Sequence, residues 1–117
     1  MFLIMYWTRA GAAEEFAEGK GRTLRIWGQR IAIIRYNDQL YALDAVCPHS
    51  GADLGLGRVK DGRVSCPDHG WTFDLGTGCM PGAVEISVRT FPVKVEGENV
   101  FVALPPGEDR PEHREES

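Results

Sequence analysis

The sequence lacks a hydrophobic run long enough to cross a membrane. Its N-terminal apolar stretch, MFLIMYW, has seven residues, whereas a membrane-spanning helix needs about 20. The first cation, Arg9, follows this stretch, although a secretory signal carries its positive charge before the apolar run. MFLIMYW is therefore predicted to be a first β-strand. With no twin-arginine signal either, the protein is expected in the cytoplasm and not at a membrane. The alternative is export, since AGA at Ala10–Ala12 resembles a cleavage site.

Clustered positive charge is also scarce. The chain has 13 Lys and Arg against 17 Asp and Glu, a net charge of −4, and binding to nucleic acid needs clustered Lys and Arg. Nucleic acid is therefore not an expected partner. Part of the acidity lies in the tail GEDRPEHREES, which has five acidic residues and two arginines. With so few apolar residues, 105–117 is predicted to be a charged, disordered tail after one folded domain, 1–104.

Helix signals are few, and strand signals recur along the chain. EEFAEG, ending at Gly19, is typical of a single helical turn. Short β-branched and aromatic runs flank Trp27-Gly28 and Asn37-Asp38, as hairpin strands flank their turns. Further hairpins are predicted at Asp61-Gly62 and at Gly97–Asn99. This pattern predicts an all-β domain, an antiparallel β-sandwich or small barrel.

Cysteines number three, an odd count that does not suit a disulfide framework. Cys79 has no evident partner and is predicted to be a free thiol without a ligand role. Cys47 and Cys66 are different, because each stands beside a proline and shortly before a histidine, His49 or His69. Thiolate and imidazole are common metal ligands, so these four residues are the candidate metal site.

The VKDGRV hairpin lies between the two cysteine–histidine pairs, which are sixteen residues apart. A hairpin there would bring the two loops side by side, with sulfur next to sulfur and nitrogen next to nitrogen. Such an arrangement suits a cluster of two metals, with both thiolates on one iron and both imidazoles on the other. The alternative is a structural zinc ion in an interaction module, although zinc fingers usually place a cysteine pair before a histidine pair.

CPH followed by CPDHGW resembles the Rieske [2Fe–2S] ferredoxin family, whose pattern is Cys-x-His and then Cys-x-x-His. The resemblance implies a Rieske-type fold with a two-loop cluster-binding subdomain, at about 46–82, and one [2Fe–2S] cluster per chain. Cys47 and Cys66 would hold the inner iron, and His49 and His69 the outer one. CMPG, Cys79–Gly82, matches the family's third, proline-bearing loop, with a plain surface turn as the alternative.

Departures from the family's high-potential members indicate the redox class. Those members carry an extra disulfide where this chain has Ala52 and Asp68, and two hydroxyl groups where it has Trp71 and Phe73. Fewer hydrogen bonds stabilise the reduced cluster less. The chain therefore resembles a low-potential Rieske ferredoxin.

Features of a catalyst are scarce. A ring-hydroxylating oxygenase needs a second iron held by two histidines and a carboxylate, and the remaining histidine is His113 in the tail. GADLGLG is a weak nicotinamide signal, and no nucleophile–base pair is evident. The resemblance thus implies an electron carrier and not an enzyme: a soluble ferredoxin between a flavin reductase and an oxygenase. The alternative is the small subunit of an NAD(P)H-dependent nitrite reductase, whose partner is the large subunit. An apolar docking rim is expected, formed by Leu54, Leu56, Trp71 and Met80, with a place in the core as the alternative for Trp71.

Overall fold

The computed structural model describes residues 5–105, which form twelve β-strands and two short 3₁₀ turns. The strands are β1 (Tyr6–Ala12), β2 (Gly21–Ile26), β3 (Gln29–Tyr36), β4 (Gln39–Asp44), β5 (Arg58–Lys60), β6 (Arg63–Ser65), β7 (Thr72–Asp74), β8 (Cys79–Met80), β9 (Ala83–Ser87), β10 (Thr90–Phe91), β11 (Val93–Glu96) and β12 (Asn99–Leu104). The 3₁₀ turns are Ala13–Glu15 and Leu54–Leu56. Within this part of the chain, no helix is long and apolar enough to cross a membrane.

Two antiparallel sheets form the larger part of the fold, in the strand orders β1-β12-β11 and β10-β4-β3-β2. They enclose a first hydrophobic core, to which Phe16, Ile33, Phe91 and Val102 contribute. A sheet that buries one face must pack against another layer. The all-β antiparallel class predicted from the sequence is confirmed.

A small subdomain, residues 45–89, is inserted between β4 and β10. It contains the sheet β5-β6-β7 and the pair β8-β9. A second core lies where this subdomain packs on the larger sheets, and it includes Ile34, Leu54 and Phe73. The link between the cores is β3, because Ile33 belongs to the first core and Ile34 to the second. A strand buried on both faces reads as a continuous apolar run, which explains the sequence IAII.

Tight turns set the strand register. Both central residues have positive φ at Trp27-Gly28, at Asn37-Asp38 and at Asp61-Gly62. Two-residue hairpin loops with two positive φ angles match the right-handed twist of the flanking strands. Asn and Asp tolerate this conformation better than most residues, and glycine adopts it without steric cost. These three predicted hairpins are confirmed.

Two local predictions need correction. Of the predicted first strand, MFLIMYW, residues 1–4 lie outside the described part, Met5 is not in a strand, and Tyr6 and Trp7 begin β1. This strand extends beyond the predicted end, because its backbone pairs with β12 as far as Ala12. The predicted turn in EEFAEG lies earlier, at Ala13–Glu15, because Phe16 enters the first core and the Gly19 amide donates to the Arg35 carbonyl. The predicted tail, apart from Pro105, also falls outside the described residues.

Candidate metal centre

The first ligand loop (Cys47–Ala52) leaves the larger sheet after β4. The Cys47 amide donates to the Ala52 carbonyl at 3.0 Å, and the Gly51 amide donates to the Cys47 carbonyl at 2.8 Å. Gly51 has φ +79°, a conformation that L-residues rarely adopt. These two hydrogen bonds join the first residue of the loop to its last two residues, so the loop forms a closed turn.

The second ligand loop (Cys66–Trp71) follows β6 and repeats this construction. The Cys66 amide donates to the Trp71 carbonyl at 2.6 Å, and the Gly70 amide donates to the Cys66 carbonyl at 3.1 Å. Gly70 has φ +76°, close to that of Gly51. Each cysteine therefore starts a turn closed by a glycine four residues later, although the histidine stands at a different position within each turn.

Both thiols point into the protein. Cys47 is 1% exposed and Cys66 is 2% exposed, and both belong to the second core. Burial raises the pKa of the Cys66 thiol, but hydrogen bonds lower it further than burial raises it. The donors are the Ser50 hydroxyl, the Asp68 amide, the Cys47 thiol and the His69 amide. The net effect is a pKa below the ordinary value, which favours the thiolate, the form that binds metals.

Both imidazoles lie at the surface. The ring centroids of His49 and His69 are 5.0 Å apart, with an interplanar angle of 70°. His49 also stacks on the indole of Trp71, with centroids 4.1 Å apart and an angle of 15°. Trp71 is half-buried and packs against the second core, so it connects an exposed ring to the interior.

The four predicted ligands thus lie as two pairs, sulfur with sulfur in the interior and imidazole with imidazole outside. Among residues 5–105, no three His, Cys, Asp or Glu side chains are grouped to hold one metal ion. Two separated pairs fit a [2Fe–2S] cluster in which one iron takes cysteines and the other takes histidines. The donor types also fit, since thiolates suit iron–sulfur clusters and imidazole suits iron.

The expected docking rim is only partly present. Leu54 is 0% exposed, so its assignment to the rim is wrong: its side chain lies in the second core, and its amide donates to the Ala45 carbonyl. Leu56 is 77% exposed, whereas Met80 is half-buried against the second core. Cys79 is a free thiol, 3.9 Å from the Thr77 carbonyl oxygen, and it lies in strand β8.

Sequence reasoning did not identify two polar side chains at the first ligand loop. The Asp53 carboxylate accepts from the Gly55 amide at 2.8 Å and from the Thr23 hydroxyl at 2.5 Å, which ties the loop to β2. The Ser50 oxygen lies 3.5 Å from Cys66 Sγ. A hydroxyl directly after a candidate histidine ligand was a possible signal, but the contact depends on how the two loops lie together.

Comparison with known proteins identifies the family. The protein-family model of the Rieske [2Fe–2S] domain matches residues 6–102 of this chain. The chain belongs to the Rieske [2Fe–2S] family. Its cofactor is therefore a [2Fe–2S] cluster, which favours iron over the zinc alternative.

Individual Rieske proteins match over most of their length. The ferredoxin component of the naphthalene 1,2-dioxygenase system of Pseudomonas aeruginosa is 33% identical over 101 residues, covering 84% of this chain and 95% of that protein. A Mycobacterium tuberculosis protein assigned as the small subunit of an NADH-dependent nitrite reductase has a TM-score of 0.81 at 28% identity. The match covers 86% of this chain and 96% of that protein. A chain in the complex of reduced oxygenase and oxidised ferredoxin of carbazole 1,9a-dioxygenase has a TM-score of 0.75 at 30% identity, covering 83% and 92%. Relatives that are ferredoxin components confirm the prediction of a carrier and not an enzyme.

Proposed function

We propose that this protein is a one-electron carrier, a low-potential Rieske ferredoxin that takes an electron from a flavin reductase and delivers it to an oxygenase. The observation that carries the proposal is the inside–outside division of the candidate ligands, with buried thiols and exposed imidazoles. Electron transfer between proteins needs a redox centre near the surface and a rigid support beneath it. The imidazoles lie where a partner can approach, and the thiols are anchored in the second core.

The proposed ligand roles follow from this division. Cys47 and Cys66 hold the inner iron as thiolates, and His49 and His69 hold the outer iron through one ring nitrogen each. When bound, the cluster accepts and releases a single electron. The Asp68 and His69 amides donate to Cys66, so backbone dipoles support the negative charge on that sulfur.

Several observations support an oxygenase as the electron acceptor. One relative named above is the ferredoxin component of a dioxygenase system, which this chain matches over 95% of its length. A structural relative is described in a complex of oxygenase and ferredoxin. The low potential is supported by the absence of a hydroxyl at two positions near the ligands: Phe73, which is fully buried, and Trp71, which stacks on His49.

Domain limits and cellular location belong to the same proposal. We assign residues 1–104 to one Rieske domain, with the cluster loops within about 46–82, and leave 105–117 outside it as a tail. None of the three cysteines forms a disulfide, as is usual in the reducing cytosol, which supports a cytoplasmic location.

The test of the cofactor is the iron and acid-labile sulfide content of the purified protein, together with the EPR spectrum of its reduced form. We expect two irons and two sulfides per chain, a reddish-brown colour and a rhombic EPR signal on reduction. Stoichiometric zinc without sulfide would contradict the proposal.

A second setting, the small subunit of a nitrite reductase, is favoured by the TM-score of 0.81 to the mycobacterial protein. Stopped-flow mixing of the reduced protein separates the two settings. Rapid reoxidation by the oxygenase component of a dioxygenase supports the ferredoxin role. Copurification with a sirohaem protein, without reoxidation by an oxygenase, would instead support the nitrite reductase subunit.

A further inference from the structure

The hydroxyl of Ser50, in the first ligand loop, contacts the second ligand loop. Its oxygen lies 3.5 Å from Cys66 Sγ, within reach of a hydrogen bond to sulfur, since sulfur is larger than oxygen. Ser50 itself is exposed, whereas Cys66 is 2% exposed. A surface side chain therefore reaches a sulfur atom that is almost completely shielded from water, where a hydrogen bond is electrostatically stronger than in solvent.

The direction of this hydrogen bond follows from the other partner of Ser50. The Ala52 amide donates to the same oxygen at 3.2 Å. A hydroxyl has two lone pairs and one proton, so the amide occupies a lone pair and leaves the proton free. A cysteine sulfur bound to iron is a thiolate and carries no proton, so it can only accept. The geometry therefore makes Ser50 the donor and Cys66 Sγ the acceptor.

We propose that Ser50 is a redox-tuning residue, whose hydroxyl donates to Cys66 Sγ and stabilises the reduced cluster relative to the oxidised one. The inference rests on the proposed function, because it requires that Cys66 bind the cluster. Reduction adds one negative charge, which is shared with the ligand sulfurs, and a donor to sulfur lowers the energy of that charge. Ser50 thus supplies, from the first ligand loop, one of the hydroxyl hydrogen bonds that Trp71 and Phe73 cannot make.

The test is the midpoint potential of the cluster-loaded protein, measured by direct electrochemistry for the wild type and for Ser50→Ala. A tenfold fall in the ratio of reduced to oxidised protein at a fixed potential, about 59 mV for a one-electron couple, is the size of effect expected for Ser50→Ala. Ser50→Thr keeps a hydroxyl and should restore the wild-type potential. Ser50→Cys offers a weaker donor and should lie between Ala and wild type.

Ser65 provides the matched control. It directly precedes Cys66 and is half-buried, and its hydroxyl makes no side-chain hydrogen bond within residues 5–105. Ser65→Ala should keep the wild-type potential. If Ser50→Ala loses its cluster, the Cys and Thr variants still test the order of potentials. Equal potentials for wild type and the Ser50 series would overturn the proposal.

Failure of the proposed function is a separate result. It would appear in the wild-type protein as the absence of iron and sulfide, before any variant is made. A wild type with a normal Rieske signal and a Ser50 series without a shift would leave the carrier function intact and remove the tuning role alone.

Discussion

The two hydrophobic cores of the molecule differ in what they contain. The first core, between the larger sheets, is built from aliphatic and aromatic side chains such as Ile33 and Val102. The second core, beneath the ligand loops, also includes Cys47 and Cys66. Packing in the first core therefore stabilises the domain alone, whereas packing in the second also sets the position of two sulfur atoms. A substitution in the first core should therefore change the stability of the domain without changing the cluster. A substitution in the second core should change both.

Removal of a sulfur from the second core should have the largest effect. In Cys66→Ala the inner iron loses one of its two proposed thiolates, and no other cysteine of the second core replaces it. We expect iron and sulfide contents near zero and a lower melting temperature, measured by metal analysis and circular dichroism. A Cys66→Ala protein with the full cluster content would show that the ligand assignment is wrong.

A matched pair of cavity variants sharpens the comparison of the cores. Ile33, in the first core, and Leu54, in the second, are both 0% exposed. Truncation of either to alanine should lower the free energy of unfolding by about 2–5 kcal/mol, through lost burial and a residual cavity. Urea denaturation measures this cost.

The two variants should differ in their clusters. Leu54→Ala should release iron to a chelator faster than wild type, because Leu54 belongs to the same core as the two cysteines. Ile33→Ala should release iron at the wild-type rate under conditions in which it is folded. Equal rates for the two variants would contradict the division between the cores.

Glycine variants test the ligand loops with a smaller perturbation. Gly70 and Gly97 both have positive φ, +76° and +62°, and a Cβ at either would meet nothing within 4 Å. Alanine at either position should therefore cost about 1–2 kcal/mol from backbone conformation alone. Only Gly70→Ala should alter the EPR spectrum, because its amide closes the second ligand loop. An altered spectrum in Gly97→Ala, with none in Gly70→Ala, would contradict this expectation.

Cys79 should be the least sensitive of these positions. Its thiol is free and lies outside both cores. Cys79→Ser should keep the cluster and change the free energy of unfolding by less than about 1 kcal/mol. Loss of colour in this variant would show that Cys79 has a role which its position does not explain.

The features predicted well from the sequence are local ones. The turns at Asn37-Asp38 and Asp61-Gly62 depend on backbone preferences of two adjacent residues, and their positive φ angles agree with the prediction. The two cysteine–histidine pairs are also local signals, and the structure brings them together as their spacing predicts. Such features can be predicted because they depend only on residues that are close together in the sequence.

The features that the sequence did not yield depend on contacts between distant segments. Leu54 reads as a surface residue of a glycine-rich stretch, but it is buried because the subdomain folds back onto β3. The Ser50–Cys66 contact joins residues sixteen positions apart. Strands β7 to β9 are short and have weak patterns of their own; tertiary packing decides their conformation.

Nitrogen coupling to the reduced cluster tests the central claim most directly. Pulsed EPR of protein labelled with ¹⁵N-histidine should detect two histidine nitrogens bound to iron, one from His49 and one from His69. His113→Ala, which removes the remaining histidine of the sequence, should leave both couplings unchanged. A spectrum with no coupled histidine nitrogen, or with one, would contradict the assignment of His49 and His69 as ligands.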